Sequence, residues 1–214
     1  MAHPLLYTKA MKLLRYNFYA FKQYLLLDEQ VYARPEDGHR FICSPPIRAR
    51  ADAEALWEGI VDRSIDVVGT DHCPFTMAQK DKCPEDFREV PNGLPGVETR
   101  LVLLYSEGVA KGRISMADLV RVTSTNPARV FGLEPRKGSL NPGSDADVVV
   151  LDPATRWTLS ASRLHMGADW SPYEGWEVQG APVVTMLRGE VIAERGEFCG
   201  RSGQGRFLSR PPTG

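Results

Sequence analysis

The residues best equipped for chemistry lie in the stretch VVGTDHCPF (67–75), where an apolar run gives way to Asp71, His72 and Cys73 in succession. A carboxylate, an imidazole and a thiolate are each zinc donors, and the first two also move protons near neutral pH. Asp71 at the end of a strand suits three roles: metal ligand, general base, or cap of the loop that follows. His72 and Cys73 add donors, but successive strand residues point to opposite faces. Three adjacent ligands on one ion are therefore awkward, and packing of His72 and Cys73 stands beside the ligand reading. The remaining histidines, His3, His39 and His165, form no H-x-H pair, and Cys43, Cys73, Cys83 and Cys199 form no C-x-x-C pair. The cysteine spacing thus offers neither a zinc knuckle nor a dithiol redox motif.

The surrounding pattern says how Asp71 is delivered. ADAEALWEGIVDR (51–63) places Leu56, Trp57, Ile60 and Val61 at helical spacing, and SIDVVGTD then supplies a short apolar strand through Ile65, Val67 and Val68. Helix followed by buried strand is the repeat of an α/β fold, and in a (β/α) barrel the reacting groups sit at C-terminal strand ends. Residues 76–96, rich in proline and glycine, read as a long loop. A helix follows, with Val97, Leu101, Leu104 and Tyr105 on one stripe, ending near Gly108 or Gly112. Ser115 and Asp118 form a capping-box pattern. NPARVFGL predicts another start, with Asn126 as cap, Pro127 at the first helical position and Gly132 as the stop. After about Lys137 the character turns to β, with a strand over 147–151 and a hairpin across Arg188-Gly189.

Bulk properties narrow the partners. The chain has 214 residues with 26 basic and 27 acidic side chains, a formal net charge of -1, which gives no electrostatic case for nucleic acid or a membrane surface. No apolar run approaches the ~20 residues of a membrane span. Reduced thiols and this composition suit a cytoplasmic protein. The first 27 residues carry Lys9, Lys12, Arg15 and Lys22 but no acid. They read as an amphipathic helix packed on the rest, or alternatively as a targeting segment.

Longer segments carry a resemblance. ICSPPIR (42–48), GTDHCPF (69–75), QKDKCPEDFREVPNGLPGVETR (79–100) and TSTNPARVFGL (123–133) resemble, in order, segments of the hydantoinase and dihydropyrimidinase family. So do KGSLNPGSDADVVVLDP (137–153), DWSPYEGWEV (169–178) and GRSGQGRFLSR (200–210). The likeness runs from about Gln23 to the C-terminus. It implies an α/β fold: the C-terminal part of a TIM-like (β/α) barrel over 23–137, then part of a β-sandwich and a tail over 138–214. Residues 1–22 form an unmatched basic segment.

The resemblance also implies a chemistry. These metal-dependent enzymes open cyclic amides such as dihydropyrimidines and hydantoins with a hydroxide held between two metal ions, usually zinc. Asp71 is then the acid after the last barrel strand, both metal ligand and general base. Ser44 and Asn92 are then the residues whose main-chain groups hold the ring amide of a small cyclic amide or imide. By their local sequence alone both are ordinary turn residues. The tail implies subunit contacts and a homo-oligomer, commonly a tetramer. The family's remaining ligands, a His-x-His pair, a carboxylated lysine and two further histidines, have no counterpart here. The expectation is a chain with an incomplete metal site and little activity alone. Two alternatives are a relative of allantoinase or dihydroorotase and a non-catalytic assembly module of the same fold.

Overall fold

The structure, a computed structural model, describes residues 19–209. Strand β1 (Tyr19–Phe21) lies parallel to β2 (Val67–Gly69), with Ala20 opposite Val68. Parallel neighbours need a crossover, and the chain between them supplies it through α1 (Lys22–Leu26) and α2 (Arg50–Val61). The Trp57 indole of α2 donates to the Leu25 carbonyl of α1 at 3.0 Å. The buried stripe of α2 runs through Ala53, Trp57 and Ile60. Val61, expected on that stripe, is 55% exposed. Centred on Ala53 and Trp57, the apolar face turns Val61 onto its flank.

Two longer helical runs follow β2, the first packing on the C-terminal sheet and the second on β2. Ahead of them the expected 76–96 loop holds one helical turn, α3 (Met77–Lys80), closed by a Thr76/Gln79 capping box. The next, α4 (Arg100–Leu103), passes into wider turns over Leu104–Val109. Val97 lies ahead of its start and is exposed. In the last, α5 (Met116–Val120) begins with the predicted Ser115/Asp118 box and continues through a wide turn, Arg121–Thr125, into α6 (Asn126–Val130). No break occurs at Asn126, whose backbone is helical at φ -66°. Its side chain is not a cap: Nδ2 donates to the Asp66 carbonyl at 2.9 Å, so a tertiary bond into the approach to β2 outweighs its capping preference. Gly132, at φ 65°, ends the helix as expected.

The C-terminal strands form one antiparallel sheet in the order β3 (Val148–Thr158), β4 (Glu177–Leu187), β5 (Glu190–Glu194), β6 (Glu197–Phe198). The β4–β5 turn is the predicted Arg188-Gly189 pair, at φ 51° and 82°. Arg188 adopts that conformation while its N–H donates to Asp147 Oδ1 at 2.8 Å. Leu159, Trp170, Tyr173 and Val178 from this region share one apolar cluster with Leu25, Ile60, Val68 and Leu104. Of the basic N-terminal segment, residues 1–18 lie outside the described residues. Residues 19–21, expected within its helix, are instead β1.

Candidate active site

β2 ends at Gly69, and Asp71 follows with φ 46°, a left-handed conformation that aspartate tolerates better than most residues. The turn lifts its carboxylate into solvent, where Asp71 is exposed. His72 and Cys73 point elsewhere. His72 Nδ1 accepts from the Gly96 N–H at 2.9 Å and the Val97 N–H at 3.2 Å. An Nδ1 that accepts two amide protons bears none itself, so the ring is held as the Nε2–H tautomer. Burial and then the nearby Lys22 hold its pKa below the ordinary histidine value, as that neutral form requires. This imidazole is thus engaged as a structural acceptor. The Cys73 N–H donates to the Leu94 carbonyl at 3.0 Å, extending the strand end onto the loop after Asn92.

Ser44 and Asn92 are exposed tips of two loops that the structure brings together. The Gly93 N–H donates to the Ile42 carbonyl at 3.1 Å. Gly93 has φ 134°, and a Cβ there would meet the Cβ of Cys73 at 2.4 Å, so glycine alone lets loop and strand end approach. The 42–44, 71–73 and 92–96 segments are therefore one hydrogen-bonded patch. Tyr24 braces the first of them, its hydroxyl donating to the Pro45 carbonyl at 2.6 Å.

Sequence patterns gave no sign of two buried lysines and a half-buried arginine around this patch. Lys22 is fully buried with no hydrogen-bond partner for Nζ, which lies 5.1 Å from the Tyr173 ring centroid. Burial, then the Arg100 charge, lower its pKa to about 7 against a raising effect of Asp71. Arg100, its own pKa lowered by burial, donates to the Val68 carbonyl at 3.1 Å. Lys80, also fully buried, donates to the carbonyls of Ile42 at 2.9 Å and Pro91 at 2.6 Å. Lysines are usually solvated, and no local spacing distinguishes these two from surface residues.

The other histidines among the described residues, His39 and His165, are committed elsewhere. His39 Nε2 lies 2.7 Å from Asp81, and His165 Nδ1 lies 2.9 Å from Glu98. Among the described residues no cluster of three histidines, cysteines or acids could hold a metal ion. A catalytic zinc takes three protein ligands. Among the described residues, the donor at this strand end is the single carboxylate of Asp71, which does not fit a metal pair by itself.

A carboxylate raised at the C-terminal end of a parallel strand, beside two loops joined by hydrogen bonds, is the geometry of an α/β protein. The sequence profile of the amidohydrolase family matches residues 22–192. The chain belongs to the amidohydrolase family, a membership that implies a metal-dependent site. It is 54% identical over 191 residues to D-phenylhydantoinase of Escherichia coli O1:K1, an alignment covering 89% of this chain and 41% of that protein. It is also similar to the crystal structure of dihydropyrimidinase from Brevibacillus agri, with TM-score 0.90 and 35% identity over 95% of this chain and 45% of that one. The D-hydantoinase of Thermus sp. aligns with TM-score 0.88 and 41% identity over 92% of this chain and 43% of that one. The chain thus spans less than half the length of these relatives. No helix among the described residues is long and apolar enough to cross a membrane.

Proposed function

We propose that this chain carries the substrate-holding and proton-moving portion of a hydantoinase-type cyclic amidohydrolase. Residues 23–137 are the C-terminal part of a (β/α) barrel, and residues 138–214 part of a β-sandwich with a tail. Asp71 is a metal ligand and the general base, and main-chain groups at Ser44 and Asn92 hold the ring amide of a hydantoin or dihydropyrimidine. Rigid backbone donors and acceptors suit the fixed edge of a cyclic imide. The observation that carries the reading is the hydrogen-bonded patch that sets Asp71 beside both loops, through Cys73 to Leu94 and Gly93 to Ile42.

The metals, two zinc ions by family likeness, need donors beyond Asp71, so no step through them is derived for this chain. A bound metal supplies an activated hydroxide and a Lewis acid to such a reaction. The residues here bind and orient the ring and shuttle a proton at the Asp71 carboxylate.

The purified chain, loaded with zinc, is expected to retain less than one ion and to leave hydantoin and dihydrouracil unhydrolysed. Joined behind the N-terminal portion of the E. coli relative, it is expected to hydrolyse hydantoin, with Asp71→Asn in that chimera lowering kcat by roughly a thousandfold or more. Undiminished turnover in the Asp71→Asn chimera would overturn the assignment.

A further inference from the structure

We propose that Lys80 is a positioning residue that fixes the spacing of the two substrate-holding loops, an inference that rests on the roles given above to Ser44 and Asn92. Its ammonium sits between the loops, donating to Ile42 at 2.9 Å and to Pro91 at 2.6 Å. Ile42 lies two residues before Ser44, and Pro91 immediately before Asn92. One cation therefore ties together the chain next to both of the residues assigned to the ring amide.

The geometry around it favours a rigid tie. Lys80 is fully buried, and Phe75 covers it with its ring centroid 6.0 Å from Nζ. Its stem is carried on α3, whose start is fixed by the Thr76/Gln79 box and by the Met77 N–H donating to Asp169 Oδ1 at 2.8 Å. The Ile42 carbonyl also accepts from Gly93, so the same oxygen joins both loops directly and through the lysine. Hydrogen bonds from an ionised donor in a desolvated setting are stronger and shorter than neutral ones. No other side chain bridges these two loops among the described hydrogen bonds. Methionine at this position would keep the stem and remove both donors, leaving the Pro91 carbonyl without the lysine bond.

The test compares amide hydrogen exchange in the wild-type chain, Lys80→Met and Lys80→Arg, with and without hydantoin. In Lys80→Met, exchange in segments 42–48 and 90–96 is expected to accelerate at least tenfold while β3 and β4 are unchanged, and Lys80→Arg is expected to restore both segments. Unchanged loop exchange in Lys80→Met, or acceleration spread equally over the sheet, overturns the proposal. Should Lys80→Met not fold, the wild type decides it. The tie requires both segments to open together, and opening rates that differ tenfold or more would refute it. Hydantoin is expected to slow exchange in both segments of the wild type and in neither of Lys80→Met. A wild type insensitive to hydantoin, with the Lys80 effect intact, counts against the substrate-binding role and not against the tie.

Discussion

At the scale of single residues, Lys22 is the anomaly. An ammonium with no hydrogen-bond partner in a fully buried position is costly, and the protein meets that cost by releasing the proton more readily. Its pKa of about 7 in the fold compares with 10.5 for the free side chain. Between those values the folded state holds fewer protons than the unfolded state, so stability climbs as pH rises from about 7 to about 10.5. Lys22→Met keeps the apolar stem and removes the charge. It is expected to stabilise the chain by roughly 2–4 kcal/mol at pH 7, with the gain shrinking toward zero above pH ~10.5. Urea unfolding of both proteins across this range measures it, and a gain independent of pH would show that burial of charge is not the cause.

Elements show where sequence and structure part. The β2 strand, the Ser115 and Gly132 helix signals and the Arg188-Gly189 turn were legible because each depends on residues next to one another. Asn126, β1 and Lys80 were not, because each takes its state from a distant partner: the Asp66 carbonyl, the edge of β2, and the Ile42 and Pro91 carbonyls. The candidate site divides in the same way. The position of Asp71 after an apolar strand could be read locally, whereas the ties that gather Ser44 and Asn92 could not. Gly93 is where these ties are tightest, since its φ of 134° and the 2.4 Å approach to Cys73 leave no space for a Cβ. Gly93→Ala is expected to cost roughly 2–3 kcal/mol in chemical denaturation and to accelerate exchange at the Cys73 amide. Unaltered protection of that amide would mean that the strand end does not depend on this approach.

For the whole molecule, the helical and β regions are interlocked. The Trp170 indole donates to the Phe75 carbonyl at 2.8 Å and the Gln179 N–H to Ser106 Oγ at 3.1 Å, so the β3–β4 connection is anchored to the segment after Asp71 and β4 to the helical run over 104–109. A Cβ on Gly180 would come within 2.3 Å of the Tyr105 ring, which fixes how closely β4 lies against the helix. Apolar side chains stay exposed on both faces of the sheet. Val149, Val150 and Val191 of the sheet are exposed, with Phe198 at 67% and Phe207 at 94%. Apolar side chains gathered on one sheet and its tail are the composition of an association surface, and a two-fold arrangement would bury the same residues from both copies. The chain is expected to run in size exclusion with light scattering at no less than twice its 23.8 kDa at micromolar concentration. Phe198→Ser combined with Phe207→Ser is expected to shift it toward one copy while leaving the circular dichroism of the fold unchanged. A wild type that stays at the mass of one copy across the accessible concentrations would refute association through these side chains.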